Sequence, residues 1–540
     1  MTQPHLSPIA TGETNTLIFA PVFYRAVFCM MIFATILLAI QLWLTGGHFS
    51  LSLDDPYIHL ALSEQILNGH YGINSNEFSA PSSSILWPAI IAPLSLLAHA
   101  DIGLWVFNLF IGTASLYVFY QLIQIQQTFG EAVTSKQIFF FLILFILQAN
   151  LLGLSAVGME HQLQVLISAG IFYGLYQHVK TDYLPKRLGF AIIAAPLVRY
   201  ESLAISAAAL FYLFFTGFRV YAIILGLFTV AGLAGFSGFL LSLGLDKFPD
   251  SVLVKSSTAR GVSNLFDNLW VNLHFPKSIG LVFVMMLFLH TAWFKHIGKK
   301  HQCFYLALAL AIGLHLVFGR TGWLFRYEIY IWVFAGLGLF CLYRQPLLPN
   351  ERPLWKRLSK GIMVLFVVIG ILEHIAALVA TPIASSNIYH QQHQMAQLAK
   401  EYIKAPIAVN DLGAVSFNND NYVLDLWGLG SSKARKLRHE GGVQWMDNLA
   451  QETGVKLVMI YQTDNWFPKV PDNWIKIGQL SDKTFRVISP YPVSFFAINH
   501  DALVDVKTNI NDWQKALPAG INFIWQTDEY FEETATANGS

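Results

Sequence analysis

Cysteine is scarce in this 540-residue chain, with Cys29, Cys303 and Cys341 the full set, all within apolar runs. That scarcity excludes a disulfide framework and a cysteine-based zinc site. Charge is scarce too. Only 12% of residues are charged, about half the share of an ordinary soluble domain. With 34 Lys+Arg against 33 Asp+Glu the net charge is +1, so no global field draws the chain to nucleic acid. The signatures of many soluble enzymes are missing: no Walker A loop, no dinucleotide fingerprint after a strand, no zincin helix.

Hydrophobic residues make up 54% of the chain and the mean hydropathy is +0.48. They gather in long runs such as Val27 to Leu44, Leu104 to Leu122, Val220 to Leu243 and Ile362 to Ala380. A run of about 20 apolar residues spans a bilayer as a helix, because each backbone group then finds its hydrogen bond within the segment. About eleven spans are expected, near 22–45, 102–124, 137–156, 161–178, 188–198, 202–216, 220–243, 279–296, 302–318, 327–343 and 361–380. The first is too long for a signal-peptide core and reads as a retained anchor.

Orientation follows from the basic residues in short loops. Lys180, Lys186 and Arg187, then Arg219, then Lys295, Lys299 and Lys300, then Arg344, Arg352, Lys356, Arg357 and Lys360 fall on one side of this scheme. The stretch 46–101 carries Asp54, Asp55, Glu64, Glu77 and Asp101 with no Lys or Arg. The positive-inside rule puts residues 1–21 in the cytoplasm and the acidic stretch outside. Residues 381–540 hold 13 Lys+Arg and 17 Asp+Glu, close to double the charge density of the preceding chain, and read as a soluble domain on the outer face. Pro406 to Val409, Tyr422 to Leu426 and Lys456 to Ile460 look like strands and Asn387 to Lys404 like a helix. The fold expected is a polytopic α-helical membrane protein with a C-terminal soluble α/β domain.

The acidic outer loop reads LDDPYIHLALSEQILNGHYGINSNEFSAPSSSILWP from Leu53. Asp55 before Pro56 is a helix start with Asp55 as N-cap, and Asn68-Gly69 stops the helix. Ile58, Ala61, Leu62 and Ile66 form one apolar stripe, so the helix is expected to lie flat on the outer membrane surface. One aspartate is enough for a cap. The second, beside lipid, calls for solvation, a cationic partner or a metal ion. With His48, His59 and His70 in the same loop, Asp54 and Asp55 are the candidate ligands for a divalent metal; no other cofactor is implied.

At this point LDDPYIHLA, GHYGIN and SAPSSSILWP resemble the opening outer loop of GT-C membrane glycosyltransferases, above all the branch of the mycobacterial cell-wall arabinofuranosyltransferases and more distantly the lipid A aminoarabinose transferases. Gly158-Met159-Glu160 resembles that branch's small-x-Glu turn and Arg199-Tyr200-Glu201 its Arg-Pro-Glu turn. Pro249-Asp250-Ser251 with Lys255 resembles its Pro-Asn-Thr segment with a downstream lysine. Arg326-Tyr327 resembles the Arg-Tyr pair opening a late span, and Asp411-Leu412-Gly413-Ala414 with Asp425-Leu426-Trp427-Gly428-Leu429 the start of its outer domain. Pro56, Tyr200 and Asp250 depart from the family pattern.

The resemblance implies transfer of a sugar from a polyprenyl-phosphate carrier to an envelope glycan, lipid or protein on the outer face of a bacterial inner membrane. That reaction needs a base for the acceptor's proton and cations for the departing lipid phosphate. Asp54 and Asp55 supply the base, Asp54 first because Asp55 has the better capping position. Lys255, Arg260, Arg320 and Arg326 are the outer-loop cations for the phosphate, with pairing to lipid headgroups as the plainer reading. Tyr57, His59, Glu160, Arg199 and Glu201 are candidates for substrate binding, Arg199 and Glu201 equally for a structural ion pair. His161 reads as an interfacial histidine, and Asp411 and Asp425 as turn residues first. Trp427, Trp466 and Trp474 can stack on sugars but read first as packing. A transporter would need ionisable groups in mid-membrane, where Glu373 and His374 are the chief examples, and two related halves. A sugar-binding sensor would need neither many spans nor an acidic loop.

Overall fold

The computed structural model describes residues 16–129, 132–255, 263–294, 297–344, 353–482 and 484–526. The protein is mostly helical with one small sheet near its carboxyl end. Among the described residues seven helices are long and apolar enough to cross a membrane: Pro21–Leu44, Ala100–Thr128, Ser135–Val157, Arg219–Ser242, Pro276–Trp293, Lys299–Phe318 and Arg357–Ile403. Shorter apolar helices, among them Leu203–Phe215 and Ile329–Tyr343, pack between them. Membrane-length apolar helices of this kind mark a membrane-embedded chain. Among the described residues, Lys180, Lys186, Arg219, Lys299 and Lys300 stand near helix ends, and Lys300 pairs with Asp182.

The sheet has the order β2-β1-β3-β5-β4-β6. β1 (Ile407–Val409) runs parallel to β2 (Val423–Asp425) and to β3 (Leu457–Ile460), the three segments expected from the sequence. β5 (Val493–Ala497), β4 (Ile475–Asp482) and β6 (Ile521–Trp525) extend it antiparallel. The three parallel strands are buried throughout, as continuous apolar runs covered on both faces must be.

Two expectations fail. The Pro353–Ile388 helix does not end near residue 380 but carries Pro382 and continues through π-helical, α-helical and π-helical turns to Ile403. The last membrane-length helix and the first helix of the C-terminal domain are one element. The second failure concerns the acidic loop. Its helix, Asp55–Leu67, buries every residue from Pro56 to Ser63 instead of lying on lipid. Tyr57, Ile58, Leu60, Ala61 and Leu62 point to several sides, and a helix apolar around most of its circumference seeks a protein interior. That interior is the core of the C-terminal domain, where Leu53, Tyr57, Leu60 and Trp87 pack in one cluster with Val409, Leu412 and Val415.

Candidate functional site

The acidic loop is held to the C-terminal domain by hydrogen bonds that span most of the chain. Asn74 donates to the Val423 carbonyl at 3.0 Å and accepts from its amide at 2.8 Å, closing the edge of β2. Glu77 accepts from Ser431 Oγ at 2.8 Å and from the Tyr422 hydroxyl. Glu64 accepts from the Asn418 amide at 3.1 Å. A second segment docks through Asp250, which accepts from Ser432 Oγ at 2.8 Å and Arg435 Nε at 2.8 Å.

Asp54 occupies the N-cap position expected of Asp55, yet its side chain makes no cap bond to its own helix. Its two carboxylate oxygens accept from the amides of Gly413 at 2.7 Å and Ala414 at 2.8 Å. The approach requires glycine, since a Cβ on Gly413 would overlap the Asp54 carbonyl and carboxylate. Asp411 stands close by, accepting from Tyr461 Oη at 2.6 Å and Gln392 Nε2 at 2.9 Å. Burial raises the proton affinity of both acids, and the Asp411 charge adds to burial in lifting Asp54 to about 8, against the lowering pull of the two amides.

This has a stability consequence. The folded Asp54 carboxyl keeps its proton up to about pH 8 while the unfolded one releases it near 4, so the native state binds more protons between those values. That contribution is full below about pH 4 and is lost as pH rises through about 8. The melting temperature of the detergent-solubilised protein is expected to fall between about pH 6 and pH 9, and Asp54→Asn, which cannot ionise, is expected to flatten that slope.

Asp55 turns the other way. Its Oδ2 accepts from Arg326 Nη2 at 2.6 Å. Arg326 is 1% exposed, and its Nε and Nη1 have no partner among the described residues. It lines a cavity of about 690 Å³ together with Arg199, Arg320, Tyr200, Glu201 and Tyr327. The remaining wall is largely apolar, including Phe248, Val252, Leu253 and Phe318. An arginine with buried, unpartnered donors in the lining of a largely apolar cavity suits the phosphate of an amphiphile.

Arg326 is aimed by an unusual backbone. Gly322, Trp323, Leu324 and Phe325 have φ of 101°, 50°, 56° and 56°, a left-handed turn that costs roughly 1–2 kcal/mol for each residue with a Cβ. Such strain persists only where its surroundings enforce it.

The other residues singled out in the sequence divide. Arg199 and Glu201 line the cavity and pair at 2.9 Å. Glu160 is fully buried behind them, bonded to Arg199 and 3.5 Å from His59. His59 and Tyr57, like Asp54 and Asp55, are not among the residues that line the cavity. His59 Nδ1 meets Ser82 Oγ at 3.1 Å, and the Tyr57 hydroxyl accepts from the Leu51 amide at 3.0 Å and lies 3.0 Å from His393 Nε2. His161 is wholly buried beside the Tyr327 ring, not interfacial. Arg320 lines the cavity; the Lys255 side chain and all of Arg260 lie outside the described residues. Asp425 accepts from the amides of Trp427, Leu429 and Gly430, the turn chemistry expected. Trp474 is buried with its Nε1 on Asp447 at 3.0 Å, while Trp427 and Trp466 pack on each other with Arg438 over Trp427.

Among the described residues no three His, Cys, Asp or Glu side chains come together as a metal site, and the Asp54 oxygens are engaged by amides. Sequence reasoning missed Asp411 as a neighbour of the acidic pair, although its DLGA context was noted. It also missed Lys277 and Glu328, whose signal was their place at the first turns of apolar helices.

A family model described as a domain of unknown function (DUF8728) matches residues 386–496, and no curated protein matches the chain. The matched stretch holds Gly413 and Ala414, whose amides meet Asp54, and Asp411 with its partners Gln392 and Tyr461.

Proposed function

We propose that the protein is an integral membrane glycosyltransferase of the GT-C kind that takes a sugar from a polyprenyl-phosphate carrier and gives it to an envelope glycan, lipid or protein. In this reading the chain crosses a bacterial inner membrane eleven times, with the acidic loop and residues 381–540 in the periplasm. The observation that carries it is the contact of Asp55 with Arg326, which together with Arg199 and Arg320 lines a cavity whose remaining wall is largely apolar. A lipid phosphate would place its charge at Arg326 and Arg320 and its first isoprene units against the apolar wall.

Asp54 is the base. An aspartate in water is too weak to take a hydroxyl proton early, whereas a proton affinity near neutral suits the task. The proton moves late, as the sugar carbon acquires oxocarbenium character and its bond to the phosphate oxygen lengthens. Asp55 holds Arg326 in place beside that leaving oxygen, and Arg326 stabilises the charge that grows there. The test is the lipid and glycan profile of a strain lacking the gene. One glycosidic linkage should disappear, returning with the wild-type gene and not with Asp54→Asn; an unchanged profile would count against the proposal.

A further inference from the structure

Lys277 is fully buried at the start of the Pro276–Phe294 helix. A lysine so placed is costly unless every proton is met. Its Nζ donates to Glu328 Oε1 at 2.8 Å and to His374 Nε2 at 2.8 Å, and lies 3.5 Å from Glu373 Oε2. His374 is fixed as the acceptor, because its Nδ1 donates to the Leu147 carbonyl at 2.8 Å. The other oxygen of Glu328 accepts from the Gly322 amide at 2.9 Å, at the first residue of the left-handed turn. Lys277 also sits 4.9 Å from the centre of the Phe325 ring, at the last residue of that turn. The neighbouring Ser278 meets Thr321 at 3.1 Å. One helix start therefore grips both ends of the strained turn, and the next residue along the chain is Arg326.

We propose that Lys277, with Glu328 and His374, is a positioning residue: the buried cluster holds the 322–325 turn in its left-handed form and so presents the free Arg326 donors to a phosphate in the cavity. The ligand in this inference rests on the glycosyltransferase reading; the bracing of the turn does not. Without the cluster the turn loses its hold at Gly322 and Phe325, and relaxation of its three left-handed residues with side chains draws Arg326 from the cavity against the pull of Asp55.

The test uses the full chain in detergent and two readouts. Lys277→Met alone leaves Glu328 buried without a cation and can fail to fold, so the double variant Lys277→Met/Glu328→Gln is the working one, since glutamine still offers an oxygen to Gly322. Hydrogen exchange of the 319–328 segment should accelerate about tenfold or more in that variant, while exchange in β3 and β5 stays as in wild type. Affinity for a polyprenyl monophosphate should fall about tenfold, with affinity for the uncharged polyprenol unmoved. Adding Trp323→Gly and Leu324→Gly to the variant should recover at least about threefold of the lost affinity, because glycine adopts this backbone freely, whereas alanine at both positions should recover none. A merely structural defect would not distinguish glycine from alanine.

Unchanged exchange in a folded double variant overturns the bracing. Faster exchange with unchanged phosphate affinity overturns the link to Arg326. A wild-type protein that binds polyprenol as tightly as its phosphate overturns the donor reading, and the exchange result then decides the bracing alone.

Discussion

Asp54→Asn should lower sugar transfer by about 10²–10⁴-fold, the usual contribution of a positioned base. Asparagine keeps the shape but takes no proton, and its amide nitrogen can satisfy neither the Gly413 nor the Ala414 amide. It therefore replaces one of the two bonds at 2.7 and 2.8 Å by a donor facing a donor, at a cost of roughly 1–3 kcal/mol. Unfolding and lost chemistry separate by the pH response. Transfer by the wild type should rise with pH through about 8, as Asp54 loses its proton, whereas residual transfer by the variant should not follow that curve. Asp411 raises the proton affinity of Asp54 by its charge, so Asp411→Asn should shift the rise to lower pH.

Arg326→Met should cost about 10²–10³-fold in turnover, falling on kcat more than on KM, because charge on the phosphate oxygen is greatest as the sugar departs. The same change strips Asp55 of its partner at 2.6 Å. Arg326→Lys should restore only part of the loss, since a point charge cannot bond Asp55 and a phosphate through separate nitrogens of one planar fork. The same two variants measured with Asp55→Asn should show smaller further losses than their product, as expected of residues that act through one contact.

Much of the architecture could be read in the residues. Long apolar runs, the change in charge density after residue 380 and the apolar triplets around Ala408, Leu424 and Val458 are local signals, and helices and strands stand where they lie. The acidic pair stood out in the sequence for the same reason, as did Arg326, which contacts Asp55, and Arg320, which lines the cavity. What was not legible depends on contacts between distant segments. Asp54 meets Gly413 across some 359 positions, and nothing near Asp54 specifies that partner. The Asp55–Leu67 helix was placed on lipid because four residues make a stripe, but its other apolar residues also need cover, which the C-terminal domain provides. The rise in charge density suggested a boundary where the helix runs on through Pro382, because a proline costs one backbone bond and flanking packing can supply that. Lys277 was overlooked as a charge at a helix start; its meaning comes from Glu328 and His374, 51 and 97 residues away.

The most direct measurement is transfer of a radiolabelled sugar by the purified protein in detergent or liposomes, from polyprenyl-phosphate donors and from nucleotide sugars, alongside Asp54→Asn and Asp55→Asn. The account predicts product from a lipid-phosphate donor only, lowered about 10²–10⁴-fold by the first variant and strongly reduced by the second. Equal product from both variants and wild type, or product from nucleotide sugars alone, would contradict it.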